Sequence, residues 1–562
     1  MQQIIECVPN FSEGRNMATI REITQEIEKV DGVKLLDVDP GRATNRTVVT
    51  FVGAPEQVIE AAFLAIKKAA ELIDMSQHSG EHPRMGATDV CPLIPISGIS
   101  MEDTAKWAHR LAKRVGKELD IPVYMYESAA TSSERKNLAT VRSGEYEGLP
   151  QKLSNPDWKP DYGPTKFNKT AGATAIGARG FLVAYNVNIN TTSVRRANSI
   201  AFDIREKGRI KREGNPITGK IVRDEKGNAL RIPGSCKSVK AIGWFIEEYG
   251  IAQISMNLTN INITPLHIAF EECRKSAQRR GMRVTGSELV GLVPLQVMLD
   301  AGKYFLEKQQ RSTGIAEEEI IKIAVKSLGL DELTPFDANK KIIEYQLQNE
   351  DSQPLIKMNL KAFANETASE SMVPGGGSIS AYVGALGVSL GTMVANLSAH
   401  KRGWDDKWET FSEWAQKGQS IKDKLLMLVD EDTNSFNGIM DAFRLPKSTP
   451  EEKAVRSQAI QDATRYAIEV PLKTMEVTFE AFELIEAMVD IGNPNSVTDA
   501  GVGALCARAA IQGAFLNVKI NATDMKDKAF VAATIDKAQK IAANADAIER
   551  RILEKVNNKM EV

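Results

Sequence analysis

Two of the five histidines in this chain fall four positions apart, in the run His78-Ser79-Gly80-Glu81-His82-Pro83-Arg84. Imidazole is the side chain whose ordinary pKa lies nearest neutrality, so a pair of this kind can take up and return protons. Glycine and proline shape the run as a connection rather than a helix. Ahead of it Val58, Ala62, Ile66, Ala69 and Ile73 recur at helical spacing, and residues 90–96 behind it read as an apolar strand. Connections held between rigid elements often display catalytic groups. At this level a chance grouping of surface histidines competes with that reading.

A second candidate is an acid in an apolar stripe. Ile421, Leu425, Leu428, Phe436 and Ile439 share one helical face, and Asp432 falls within it. Asp430, at 100° per residue, falls roughly on the opposite side. Burying a carboxylate costs several kcal/mol unless it is paired, hydrogen-bonded or protonated, so Asp432 is either structural glue or a functional acid. Val373-Pro374-Gly375-Gly376-Gly377-Ser378 opens a small-residue helix. It can offer backbone N–H groups to an anion or simply turn tightly into the helix. No Gly-Lys-Ser/Thr follows, so it is not a nucleotide-phosphate loop. The run Gly163-Pro164-Thr165-Lys166-Phe167-Asn168-Lys169-Thr170-Ala171-Gly172, with Arg179 beyond it, reads either as a clamp for a flat anionic ligand or as a solvated linker.

Elements must position these groups. Alternating short patterns over residues 1–126 give a strand-helix-strand-strand-helix-strand order, the ferredoxin-like βαββαβ plan, extended by a helix and a strand. Residues 181–293 repeat it, with a polar hairpin-like insertion at 208–233. Beyond about residue 345 only long helical patterns remain, at 358–370, 378–400, 405–443, 451–489, 498–521 and 525–557. The expected fold is therefore an α+β half of two ferredoxin-like subdomains, 1–180 and 181–345, then a linker at 346–354 and an all-α helical bundle at 355–562. Ser380, Gly384, Gly387 and Gly391 recur along one helix, which is expected at the bundle centre or a subunit interface.

Composition narrows the classes. A net charge of −2 with 26% charged residues argues against a globally basic nucleic-acid binder and against disorder. Cys7, Cys91, Cys236, Cys273 and Cys506 are scattered without a Cys-x-x-Cys, which argues against a disulfide framework or structural zinc and fits a cytoplasmic location. The first residues lack the basic and apolar regions of a secretion signal. Residues 373–399 are uncharged and long enough for a bilayer, but their small residues favour a buried, closely packed helix over a membrane span.

Several motifs are shared with a known family. Glu6-Cys7-Val8-Pro9-Asn10-Phe11-Ser12-Glu13-Gly14-Arg15, Thr44-Asn45-Arg46-Thr47, Gly80-Glu81-His82-Pro83-Arg84-Met85-Gly86 and Asp89-Val90-Cys91-Pro92 resemble the formiminotransferase half of the formimidoyltransferase-cyclodeaminase family. Pro374-Gly375-Gly376-Gly377-Ser378, Leu428-Val429-Asp430-Glu431-Asp432, Arg444-Leu445-Pro446-Lys447 and Thr449-Pro450-Glu451-Glu452-Lys453 resemble its cyclodeaminase half. The resemblance runs nearly end to end. It implies transfer of the formimino group of N-formimino-L-glutamate to tetrahydrofolate, then closure of 5-formiminotetrahydrofolate to 5,10-methenyltetrahydrofolate with loss of ammonia. It assigns the transferase histidine to His82 and the cyclodeaminase acid to Asp432. Folate contacts fall on the 163–172 run and, more loosely, on Gly234, Ser235 and Cys236.

Arg42, Arg46, Arg84, Gly375, Gly376, Gly377 and Ser378 are further candidates for anion or folate contacts. Tetrahydrofolate, in polyglutamylated form, is the expected co-substrate, and no metal or nucleotide is expected. The family further implies a homo-oligomer. The insertion at 208–233 departs from the mammalian pattern and weakens the placement of the second folate stretch. The rival expectations are a glutamate formyltransferase-type transfer with an inactive or scaffolding helical domain, and a folate-binding protein that has lost catalysis.

Overall fold

The structure, a computed structural model, describes residues 3–215, 218–347 and 354–560. It forms two compact units, one of Met1–Ala301 with Ala324–Leu347 and one of Gly302–Ile323 with Gln348–Val562.

The first unit opens with a seven-stranded sheet of β1 (Ile4–Cys7), β2 (Asn10–Phe11), β3 (Val33–Gly41), β4 (Arg46–Gly53), β5 (Thr88–Ser97), β6 (Val123–Glu127) and β7 (Thr174–Ala178). β1 and β2 both lie between β4 and β5, antiparallel to each, while β3 edges β4. Helices α1 (Met17–Glu28), α2 (Pro55–Leu72) and α3 (Met101–Glu118) supply the cover. Asn16 caps α1 by accepting from the Ala18 and Thr19 N–H groups, and Pro55 starts α2 where its missing N–H is harmless. Ile23, Ile27, Val58, Ala62 and Ile66 then bury against Ile5, Cys7, Val49, Phe51 and Leu93. Each large aliphatic side chain buried in this way contributes about 1.5–3 kcal/mol.

The second sheet contains β8 (Val183–Ile189), β11 (Val239–Ile246), β12 (Ile251–Leu258) and β13 (Val284–Val290), in the order β11-β12-β8-β13. That is the strand order of the first βαββαβ motif, and α4 (Val194–Ile204) and α5 (Leu266–Gln278) occupy the matching helical positions. The expected repeat is thus present. The described part of the 208–233 insertion is a hairpin, with β9 (Arg209–Ile210) paired to β10 (Arg231–Ile232); residues 216–217 lie outside the described residues.

β7 is a strand beyond the expected βαββαβ plan and its added helix and strand. Thr174–Ala178 is a wholly buried strand, parallel to β5 on one side and β6 on the other. A strand buried on both faces shows no alternation of polar and apolar residues, so this segment does not mark itself in the sequence.

The second unit is a helical bundle: α6 (Leu360–Thr367), α7 (Gly376–Ala399), α8 (Trp408–Arg444), α9 (Pro450–Ile491), α10 (Val497–Asn521) and α11 (Lys528–Met560). A full capping box between Thr449 and Glu452 starts α9. Along α7 the buried residues Gly384, Gly387 and Gly391 meet Thr478 and Ile485 of α9 and Gly503 and Cys506 of α10 at distances that exclude a larger side chain. Gly314 packs against Ala415, and its carbonyl accepts from Asn396 and Gln419, so residues 302–323 belong with the bundle. Residues 348–353 of the expected linker lie outside the described residues.

Candidate active sites

In the first unit the histidine run is held by three backbone neighbours. Gly86 and Gly172 form an antiparallel bridge, the Ala87 N–H donates to the Ala171 carbonyl, and the Ala173 N–H donates to Met85. Gly172 has φ +67°, and a Cβ there would lie 2.3 Å from the Met85 carbonyl, so only glycine permits this approach. Tyr146 ties in a third segment: its N–H donates to the Arg84 carbonyl and its hydroxyl to the Lys169 carbonyl, while its ring meets Phe167 at 5.4 Å. The structure therefore assembles residues 78–86, 142–147 and 163–172 around one place.

The two histidines differ in role there. His78 Nε2 lies 2.9 Å from the Asn45 carbonyl, and its Nδ1 accepts from Arg84 Nε at 3.3 Å, so both ring nitrogens are used structurally. His82 Nδ1 lies 2.7 Å from the Pro83 carbonyl. A carbonyl can only accept, so the proton sits on Nδ1 and Nε2 keeps its lone pair. Burial, together with the guanidiniums of Arg46 and Arg142, pulls this imidazole down to about 3. It is uncharged at neutral pH and can act as a base.

Beneath it lies a buried ionic group. Asp89 is fully buried and pairs with Arg46 and with Arg142, the latter at 3.0 Å. Burial alone would raise the Asp89 carboxyl, yet Arg142 and Arg46 override it and hold it below the usual range. Asp89 Oδ1 accepts from the Met85 N–H at 3.0 Å, and Arg46 Nε donates to Asn10 at 3.0 Å. The same ion pairs that support the loop also shape the field at His82.

The other expected arginines sit elsewhere. Arg84 is bound to Glu147 at 2.6 Å, to Glu145 at 3.3 Å and to His78, so it fastens loops and has no hand left for a ligand. Arg42 has an exposed side chain, and its carbonyl accepts from Arg15. Within 163–172, Asn168 folds the run by accepting from the Ala171 N–H and from Thr170, while Thr165, Lys166 and Lys169 are exposed. Gly163 adopts φ +82° at the start of the turn. Gly234, Ser235 and Cys236 lie in the second subdomain, where the N–H groups of Ser235 and Cys236 donate to Asp203 and Ile204. Gly234 and Ser235 line a cavity of about 290 Å³ with Arg209 and Arg279. Arg142 was not among the expected residues, because nothing periodic marks the loop that carries it.

In the second unit Asp432 faces the start of α7. Its Oδ2 accepts from the Ser378 N–H at 2.9 Å and from the Ser378 hydroxyl at 3.1 Å. Gly377 lies so close that a Cβ there would fall 2.0 Å from Oδ1. The N–H presented by the Gly375-Gly376-Gly377-Ser378 turn is thus taken by the protein's own carboxylate, not left for an external anion. Burial raises the Asp432 carboxyl above its usual range, opposed by the two Ser378 hydrogen bonds.

The stripe reading of α8 needs correction. Ile421, Leu425 and Val429 form the fully buried line, whereas Leu428, Asp432, Phe436 and Ile439 are half-buried on its shoulder. Asp430, on the opposite side, is also buried, at 2% exposed, and accepts from the N–H groups of Leu355 at 2.8 Å and Ile356 at 3.3 Å. The helix is covered on that side too, by the chain entering the bundle.

Comparison with known proteins gives three matched stretches along the chain. The profile of the formiminotransferase domain, N-terminal subdomain, matches residues 4–179; that of the formiminotransferase domain matches 184–348; and that of formiminotransferase-cyclodeaminase matches 359–540. The formimidoyltransferase-cyclodeaminase of Mus musculus is 42% identical over 531 residues, covering 94% of each chain. The glutamate formimidoyltransferase of Streptococcus pyogenes is 43% identical over 307 residues, 55% of this chain and 94% of its own. The methenyltetrahydrofolate cyclohydrolase of Methylorubrum extorquens is 35% identical over 201 residues, 36% of this chain and 97% of its own.

Proposed function

This chain belongs to the formimidoyltransferase-cyclodeaminase family, and from that membership we propose that it carries both reactions of the family's name. The first unit transfers the formimino group of N-formimino-L-glutamate to N5 of tetrahydrofolate and releases L-glutamate. The second cyclises 5-formiminotetrahydrofolate to 5,10-methenyltetrahydrofolate and releases ammonia. Together they form a folate-dependent step of histidine breakdown.

His82 serves the first reaction. As N5 attacks the formimino carbon it must lose a proton, and His82 Nε2, bare and uncharged, accepts it. The tetrahedral intermediate then collapses, and the same nitrogen returns the proton to the departing glutamate nitrogen. General acid–base help of this kind is worth roughly 10²–10⁴ in rate. The 163–172 run lies against this loop and is the proposed folate contact.

Asp432 serves the second. N10 attacks the formimino carbon, and the amino group must be protonated before it leaves as ammonia. Both Ser378 hydrogen bonds fall on Oδ2, which leaves Oδ1 to carry the proton that burial helps to retain.

The observation that carries the transferase reading is the tautomer of His82, set by the Pro83 carbonyl. Replacing it tests the reading: His82→Ala should stop glutamate release while the variant still closes supplied 5-formiminotetrahydrofolate. Loss of both activities in a folded variant would refute the division of labour.

Three further features belong to the same reading. A polyglutamylated folate is the expected form of the co-substrate, testable by comparing KM for mono- and pentaglutamate forms. Assembly into a homo-oligomer is supported by apolar side chains left outward: Leu386, Met393 and Leu397 on α7, and Val502, Leu505, Leu516 and Ile520 on α10. Helices α7 and α10 are long and apolar enough to cross a bilayer, but α7 buries its glycines within the bundle. Sedimentation without detergent would separate a soluble oligomer from a membrane species. A cytoplasmic location is supported by five unpaired cysteines.

A further inference from the structure

We propose that Arg142 is the receptor for a carboxylate of the formimino donor, holding N-formimino-L-glutamate against His82. The inference rests on the transferase reading above and names the group that binds its anionic substrate.

Three observations meet at this side chain. The first is charge: Asp89 Oδ2 takes both Arg46 and Arg142, while Asp89 Oδ1 is used by the Met85 N–H. Two guanidiniums thus share one fully buried carboxylate, and one positive charge is left over, with Arg142 the more exposed of the two at 13% of its side chain. An uncompensated charge of this kind is costly unless another anion arrives. The second is a missing partner: Arg142 Nε is buried and has no hydrogen-bond acceptor among the described residues. Arg46, by contrast, spends its Nε on Asn10. The vacancy therefore belongs to Arg142, whose unused N–H suits a carboxylate oxygen.

The third observation is position. Arg142 follows the short helix Leu138–Val141, and its N–H donates to the Leu138 carbonyl. Four residues later Tyr146 is bonded both to the histidine loop and to the 163–172 run. The guanidinium is close enough to His82 to help keep the imidazole uncharged. A carboxylate arriving on Arg142 would offset that charge and strengthen His82 as a base just as the donor binds. Substrate binding and proton acceptance would then be coupled through one residue.

Steady-state kinetics of the full chain tests this, with glutamate and ammonia release followed separately. Losing one charge-assisted hydrogen bond corresponds to a rise of about 10- to 100-fold in KM. Arg142→Gln should raise KM for N-formimino-L-glutamate by that factor, with KM for tetrahydrofolate unchanged. Arg142→Lys, which can keep the Asp89 ion pair but lacks the Nε–H, should show the same selective rise to a smaller degree. Ammonia release from supplied 5-formiminotetrahydrofolate should stay at the wild-type level in both and reports that the second unit is folded, while the unchanged KM for tetrahydrofolate reports the same of the first. Calorimetry with L-glutamate as the probe should show binding to wild type and weakened binding to Arg142→Lys.

A rise in KM for tetrahydrofolate instead would give Arg142 to the folate's glutamyl tail and overturn the proposal. Unchanged KM for both substrates, or a fall in kcat alone, would overturn it as well. Absence of glutamate release from the wild-type protein would instead refute the underlying transferase reading, so the two failures are distinguishable.

Discussion

Gly377→Ala is a one-carbon change that should separate stability from catalysis in the helical unit. Gly377 lies in the first turn of α7, where its added Cβ would fall 2.0 Å from Asp432 Oδ1 and 2.5 Å from its Cγ. Non-bonded carbon contacts settle near 3.5–4 Å, so the carboxyl must retreat by about 1 Å or more. Two effects on stability oppose each other. Alanine is favoured over glycine in a helix by roughly 0.5–1 kcal/mol, and forcing neighbours apart costs about 1–3 kcal/mol. The net loss is therefore small, while a displacement of about 1 Å at a reacting group can cost on the order of 10²-fold in rate. Ammonia release from 5-formiminotetrahydrofolate should fall by that factor, with glutamate release unchanged and the urea midpoint moved little. Gly376→Ala is the control, because its Cβ would meet only the movable Asn517 amide at 3.1 Å. Full cyclodeaminase activity in Gly377→Ala would refute the placement of the Asp432 carboxyl at the reacting centre.

Other outcomes follow from the same geometry. Asp430→Ala leaves the N–H groups of Leu355 and Ile356 without their acceptor, so urea unfolding of the bundle should show a loss of about 3 kcal/mol; an unmoved midpoint would contradict the clamp. Because burial raises the Asp432 carboxyl in the folded chain, the stability it contributes is full below its unfolded pKa and is lost as pH rises through the folded one. Asp432→Asn should therefore raise Tm at pH 8, and the gain should shrink as pH approaches 4; a gain independent of pH would count against a raised carboxyl. His82 is pulled down to about 3, so kcat/KM for transfer should show no break near pH 6.5, and a break there would mean that the imidazole is an ordinary one.

Much of this architecture can be read along the chain. Long helices reveal themselves by period, so residues 405–443 and 451–489 fall within two to three residues of α8 and α9. The two βαββαβ units show in the order of short apolar runs and amphipathic helices, although strands such as β5 and β8 are buried along most of their length. β7 escapes such reading, since five buried residues between parallel neighbours have no polar face to mark them. The site is legible only where a residue type is scarce or misplaced. His82 stands out among five histidines, and Asp432 among apolar neighbours. Arg142 is one basic residue in a polar loop, and only the fold shows that it reaches Asp89. Asp430 illustrates the converse: helical phase placed it opposite Asp432, but phase cannot say that residues 355–356 cover that side.

The central claim is that two separate proton-handling centres act in turn, one imidazole and one sequestered acid. The most direct measurement is the product balance of Asp432→Asn supplied with N-formimino-L-glutamate and tetrahydrofolate, followed by mass spectrometry and an ammonia assay. The account predicts one equivalent of L-glutamate for each 5-formiminotetrahydrofolate that accumulates, with ammonia absent. Ammonia and 5,10-methenyltetrahydrofolate formed at the wild-type rate would contradict it.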